Sequence, residues 1–453
     1  MAGIFGISED TKRKLISGML ARRPSPTSPA TLASQQVTRA PLGDPQRYEE
    51  IRLMRAAAAH LDLANPYFKV HEGTAGATAC IGNRQYMNFA SYNYCGLNGD
   101  PRVQQAAISA MVTFGTSAGA SRLVAGERPL HAELEQALAA HYAAEDCVVM
   151  VSGHATNVTV IGHLLSGGDL VLHDALAHNS IVQGCILSGA RRVPFPHNDL
   201  HALERLLERA RPMARQALIV VEGHYSMDGD VPDLAGLVAL ARRHDAHIMV
   251  DEAHSLGVLG ATGRGSFEHC GVDPSEIDIW MGTLSKTLAG CGGYIAGNAA
   301  MIDYLRHTAP GFVYSVGMSP PLAAAALAAL QALHAEPERV ARLQANGALF
   351  LAEAKARSLD TGYSIGAAIV PVVIGSSIRA ARAAGQLFER GVNVQPIIHP
   401  AVPERAARLR FFLSSQHSPE QIREAVRLTA EAVAAAKAEQ IPLADVIRLL
   451  TSR

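Results

Sequence analysis

Between residues 140 and 300 the chain repeats one feature, a short and almost continuous apolar run. The runs are CVVMVSG, DLVLHD, RRVPFP, ALIVVEG, HIMVDEAH, DIWMGTLSK and GGYIAG. Such runs read as strands buried on both faces. Stretches such as DLAGLVALARRHD separate most of them, and strand–helix–strand alternation implies crossovers and a mainly parallel sheet. DIWMGTLSK and GGYIAG lie too close together for an intervening helix, so the last strand is expected to run antiparallel. Ahead of the first run, LHAELEQALAAHY sets Leu130, Leu134 and Leu138 at four-residue steps, one face of a helix. The fold class is α/β.

The flanks divide the rest. Residues 1–45 read as an arm: SEDTKRKLISGMLARR as a short helix capped by Ser8, then PSPTSPATLASQQVTRAPLGDP, which has little to bury. Residues 46–100 hold a helix over 46–60 and a strand-like RQYMNFAS; residues 101–320 form the large domain. Residues 321–453 form a smaller α+β unit. It opens with one or two long Ala/Leu-rich helices, followed by strand AAIVPVVIG, a helix to about Arg390, strands VNVQPII and LRFFLSS, and a helix from Ser418. With 40 Lys+Arg against 41 Asp+Glu, the charge gives no reason to expect nucleic acid or an anionic membrane as partner. No run reaches the ~18 apolar residues of a membrane helix, and MAGIFGISEDTKRKL lacks the layout of a secretory signal. Cys80, Cys95, Cys147, Cys185, Cys270 and Cys291 form no CxxC pair and no metal-ligand spacing. They are expected as core hydrophobes of a cytoplasmic protein without a metal.

In open α/β sheets the ligand crevice lies at the carboxyl ends of the strands. Those ends carry Ser152-Gly153-His154, Asp174 with His178, Glu222 with Ser226, Asp251 with His254, and Thr283 with Lys286. Taken singly, Asp251 is also what a helix cap looks like, Lys286 a surface charge, and His178 or His254 a structural histidine. Five decorated ends in succession are not explained that way. VSGHATN follows a strand and opens a helix, so its free N–H groups can hold a phosphate. Asp251 ends an apolar strand, where a carboxylate requires a partner. Lys286 follows by about one crossover's length. An imine-forming lysine, an aspartate for a protonated pyridine and a phosphate cradle are what pyridoxal phosphate (PLP) needs. GTLSKT has no glycine before its lysine, so it is no GxxxxGK[ST] loop, and GHYSMDG is no GxSxG elbow.

FASYNYCGL, GTSAGASRLVAG, DALAHNS, EGHYSMDGD, VDEAHSLGVLG, GRGS, GTLSKTLAG and RLRFFLSSQHS together resemble the α-oxoamine synthases. These PLP enzymes of fold type I include 8-amino-7-oxononanoate synthase, 2-amino-3-ketobutyrate CoA ligase, 5-aminolevulinate synthase and serine palmitoyltransferase. The likeness runs from about residue 88 to 417 and implies the aspartate-aminotransferase-like fold. It also implies a role for each matching residue. Lys286 would hold the cofactor aldehyde and serve as Cα base; Asp251 would pair with the pyridine nitrogen, and His254 with the phenolic oxygen, supported by Ser226. His178 would stack on the ring and orient the substrates. Gly153, His154 and Thr283 would hold the phosphate, and Ser315 would reach the phosphate of the partner subunit in a homodimer. Arg410 would clamp the amino-acid carboxylate.

Three positions depart from the pattern: Cys95 replaces a leucine, His154 an aromatic residue of some members, and Ala401 a threonine near the acyl-donor site. The implied reaction condenses a small amino acid (glycine, alanine or serine) with an acyl thioester, on coenzyme A or an acyl carrier protein, with decarboxylation. The N-terminal arm is a candidate dock for such a carrier. Two alternatives stand beside this reading. A fold-type-I aminotransferase would share Asp251 and Lys286, but DALAHNS and HYSMDGD disfavour it. Lys286 argues against a catalytically silent regulatory homologue.

Overall fold

The computed structural model describes residues 42–440. The expected Ser8-capped helix and most of the Pro/Ser-rich arm lie outside them. The helix expected over 46–60 runs Pro45–His60; Asp44 caps it by accepting the Gln46 N–H at 2.9 Å, and Pro45 fills the first turn, where an N–H is not needed. Its Ala57, with Leu61 just beyond, buries against Ile378 of the C-terminal unit. Strands β1 (His71–Glu72), β2 (Thr78–Ile81) and β3 (Arg84–Asn88) follow as an antiparallel meander.

The large sheet contains β4 (Asp146–Met150), β5 (Leu170–Asp174), β6 (Arg191–Phe195), β7 (Ala217–Glu222), β8 (His247–Asp251), β9 (Ile279–Thr283) and β10 (Gly293–Gly297). Their order is β4-β10-β9-β8-β7-β5-β6. β5 through β9 pair in parallel, and β10 runs antiparallel to both β4 and β9, as the short connection requires. Alternate residues enter opposite cores: Ile219 and Val221 of β7 pack in one cluster, Leu218 and Val220 in the other. The carboxyl ends of β4, β5, β7, β8 and β9 therefore share one rim, with helices on both faces.

Two expectations are corrected. β6 is not buried on both faces: it is the edge strand, with Arg191, Arg192 and Pro194 exposed and only Phe195 buried. VNVQPII is not one strand. β12 (Val392–Asn393) pairs in parallel with β3, and Asn393 bonds Asn88 across that junction at 2.9 Å. β13 (Gln395–Ile397) turns away to pair with β14 (Arg408–Phe412), which also pairs with β11 (Ile369–Val373). The Ala/Leu-rich stretch forms two helices, Pro320–Ala335 and Glu338–Ala356, separated at Pro337. Helix Pro419–Ala438 starts at a Ser418/Gln421 capping box. Among the described residues no helix is long and apolar enough to cross a membrane.

Candidate functional site

The site begins where β4 hands over to helix Gly153–Leu164. Ser152 caps that helix: its Oγ accepts the Ala155 N–H at 3.3 Å and its carbonyl the Thr156 N–H at 2.9 Å. The N–H groups of Gly153 and His154 have no partner among the described residues, at the positive end of the helix. A Cβ on Gly153 would lie 2.8 Å from Thr283 Oγ1, so the helix start closes on the end of β9 because residue 153 is glycine. Thr283 Oγ1 donates to the Gly292 carbonyl at 3.0 Å and lies 2.8 Å from Ser285 Oγ.

A cavity of about 280 Å³ joins this terminus to the ends of β7, β8 and β9. Gly153, His154, His178, Asp251, His254, Thr283 and Lys286 all line it, with Glu222, Asn157, Ser285 and Cys291. Asp251 is fixed by two donors at 2.9 Å, Asn157 Nδ2 on Oδ2 and the Ala253 N–H on Oδ1. Half-buried Lys286 is held down to about 8, because desolvation outweighs the attraction of Asp251 and Glu222. Its Nζ lies 5.5 Å from the centre of the Tyr92 ring. Burial, with Asp251 beside it, pushes buried Glu222 up to about 8; Oε2 accepts the Ser226 N–H at 3.2 Å, and the His178 backbone N–H also acts on the carboxylate.

His178 and His254 are kept neutral by desolvation. His178 caps helix Asn179–Ser188, its Nδ1 accepting the Ser180 N–H at 3.3 Å and lying 2.7 Å from Ser180 Oγ. An accepting Nδ1 leaves the ring proton on Nε2. His254, deeply buried, sits well below the usual imidazole range, with Lys286 and Arg410 adding to the effect of burial. Its Nδ1 is 2.7 Å from the Tyr94 hydroxyl.

Four sequence-predicted residues do not line this cavity: Asp174, whose carboxylate turns to His197 and Asn198, and Ser226, Arg410 and Ser315. The Ser226 backbone, not its hydroxyl, is engaged: its N–H goes to Glu222 and its carbonyl accepts from Arg410 Nη1 at 3.0 Å. Arg410 is buried over Phe412, 4.5 Å from the ring centre, and its Nε has no partner. Ser315 lines a separate small hollow with Arg122 and Phe312. Sequence reasoning missed Asn157, Tyr94 and Ser285 and assigned Glu222 no role. Asn157 lies one turn into the helix that VSGHATN opens, the only signal that pointed to it. Cys291 is corrected: it is exposed on the cavity wall, in the turn between Lys286 and β10, and only Cys95, Cys147 and Cys185 are fully buried.

A larger cavity of about 630 Å³ lies at the opposite end of the sheet, lined in part by Glu145, His247, Asp278 and Asn298. Its charged groups are matched within the chain: Glu145 takes Asn298 Nδ2 at 2.8 Å, and Asp278 takes the Ile248 N–H at 2.8 Å and lies 3.1 Å from His247 Nδ1. The smaller cavity, with its open helix N-terminus and buried acids, is the candidate active site.

Residues 84–428 match the family described as aminotransferase class I and II. Over 385 residues the chain is 41% identical to 8-amino-7-oxononanoate synthase of Geobacter metallireducens, covering 84% of this chain and 96% of that one. With the synthase of the same name from Geobacter sulfurreducens it shares 42% over 357 residues, covering 78% and 90%. Serine palmitoyltransferase of Sphingomonas wittichii superposes with a TM-score of 0.83 at 30% identity, covering 88% of this chain and 100% of that one. The same values hold for a serine palmitoyltransferase solved with its PLP internal aldimine.

Proposed function

Because the chain belongs to the aminotransferase class I and II family, and within it to the α-oxoamine synthases, we propose that it is a PLP-dependent acyltransferase. It condenses a small amino acid (glycine, alanine or serine) with an acyl thioester and releases CO₂ to give an α-amino ketone. The observation that carries this reading is that Lys286, Asp251 and the unpartnered Gly153–His154 N–H pair face one cavity. The donor set fits the cofactor. Lys286 has a pKa low enough to supply free amine near neutral pH, Asp251 is a carboxylate fixed by two donors, and the helix start offers a phosphate cradle. When bound, PLP supplies an aldehyde carbon and a ring that withdraws negative charge from the substrate Cα.

The chain's own residues do the rest. Gly153 and His154 would hold the phosphate through their N–H groups, with the Thr283 hydroxyl joining them once it turns from the Gly292 carbonyl. Asp251 retains the proton on the pyridine nitrogen. His254, anchored through Nδ1, would offer Nε2 to the phenolic oxygen, while Ser226, through its backbone, steadies Glu222 and Arg410. His178 covers the ring face and orients the thioester with Nε2–H. Arg410 holds the amino-acid carboxylate with its planar fork. Lys286, the amine that faces the cavity, would take the proton from the substrate Cα, the charge left there being what the ring would withdraw. Ser315, which does not line this cavity, is assigned to the phosphate of a second copy, so the enzyme is read as a cytoplasmic homodimer. Residues 101–320 are taken as the cofactor-binding unit, with 46–100 and 321–453 around it. That the curated relatives near 40% identity are 8-amino-7-oxononanoate synthases supports a product of that type.

The test is turnover of the holoenzyme with glycine, L-alanine or L-serine against a panel of acyl-CoA and carrier-protein thioesters. Equal amounts of free thiol and CO₂ are expected with at least one pair. Amino-group transfer to a keto acid, without CO₂, would contradict the reading.

A further inference from the structure

Outside the cavity, His197 sits between two acids from different parts of the large domain. Its Nδ1 is 2.9 Å from Asp174 Oδ1 at the end of β5, and its Nε2 is 2.8 Å from Asp230 Oδ2. The neighbouring Asn198 repeats the bridge, its N–H to Asp174 Oδ2 at 3.0 Å and its Nδ2 to Asp230 Oδ2 at 2.8 Å. Burial opposes a charge there, but the two carboxylates push His197 up to about 10, so an imidazolium joins two carboxylates at neutral pH. The ring also stands edge-on to Tyr225 at 4.5 Å.

Asp230 closes a tight loop that starts at Tyr225. The Tyr225 N–H donates to the Asp230 carbonyl at 3.0 Å, and the Gly229 N–H to the Tyr225 carbonyl at 2.9 Å. Gly229 has φ +70, and a Cβ there would meet the Ile369 carbonyl of β11 at 2.1 Å, so the loop is pressed against the C-terminal sheet. The loop offers that sheet its acceptors. Arg408 Nη1 bonds the Met227 carbonyl at 3.0 Å and Asp228 Oδ1 at 2.5 Å. Arg410 Nη1 bonds the Ser226 carbonyl at 3.0 Å and contacts Met227 Sδ at 3.3 Å. Arg410 is thus oriented from one nitrogen, and its buried Nε remains open.

We propose that His197 is a positioning residue for the amino-acid substrate: by bridging Asp174 and Asp230 it pins the 225–230 loop, whose Ser226 carbonyl and Met227 sulfur set where the Arg410 guanidinium points. The inference rests on Arg410 being the carboxylate clamp. His197 itself touches neither substrate nor cofactor, so its loss acts on one substrate and not on the chemistry.

The test is a double-mutant cycle of His197→Asn and Arg410→Lys in the holoenzyme. His197→Asn is expected to raise the amino-acid KM about tenfold while the thioester KM, kcat and cofactor absorbance stay close to those of the parent. Combined with Arg410→Lys it should add nothing to the KM of that single variant, because both act through one contact. Additive effects, or an equal rise in the thioester KM, would overturn the latch. Arg410→Lys without effect on the amino-acid KM would sink the clamp reading, and the latch with it. Should His197→Asn lose cofactor or melt below the assay temperature, Asn198→Ala, which removes one bond to the same Asp230 carboxylate, carries the cycle under the same criteria.

Discussion

Lys69 and Lys286 are both half-buried, and loss of water holds both down to about 8. They differ in their company. Lys69 lies with Nζ 3.4 Å from the centre of the Phe388 ring, which stacks on Tyr86 at 4.3 Å. Burial alone accounts for its shift, and among the described residues no carboxylate opposes it. Lys286 is drawn upward by Asp251 and Glu222 while burial pulls it down, and it faces a cavity that ends at an unsatisfied helix N-terminus. A depressed amine therefore marks burial and nothing more. Chemistry is marked by what surrounds it: fixed acids, open donors and room for a ligand.

Two substitutions sharpen that contrast. Glu222→Gln, beside Lys286, should have the larger effect. The folded chain keeps the Glu222 proton up to about pH 8, whereas an unfolded carboxyl loses it near 4.5. Stability contributed by this group therefore falls as pH rises between those values, by about 1.4 kcal/mol for each displaced unit. The glutamine carries no such proton, so chemical denaturation from pH 5 to pH 8 should show a flatter stability profile for Glu222→Gln than for the parent; parallel profiles would contradict this assignment. Lys69→Ala should do least. Losing the contact with Phe388 costs about 0.5–1 kcal/mol, read as a small drop in Tm, with steady-state turnover unchanged. A large loss of turnover would erase the distinction between the two lysines.

Much of the large domain was legible because its strands are buried on both faces and so appear as unbroken apolar runs. The site was legible for the same reason: Asp251, Thr283 and Lys286 are polar residues set where those runs stop. β6 misled because an edge strand buries one face only, although Arg191 and Arg192 carried that signal. The split of VNVQPII at Val394 depends on β3, some three hundred residues earlier, offering a free edge, and no local pattern records that. Asn157, which holds Asp251, and Tyr94, which holds His254, act through side-chain geometry that spacing cannot show. Ser226 was found by its motif, but its carbonyl and N–H make the observed contacts.

The chain has six lysines, at positions 12, 14, 69, 286, 355 and 437, so the central claim can be tested at single-residue level. Borohydride reduction of the holoenzyme, followed by peptide mass mapping, locates the residue bonded to the cofactor. The account predicts one phosphopyridoxyl group per chain, on Lys286, with Lys69 unmodified. A label on Lys69 or any other lysine, or no label at all, would contradict it.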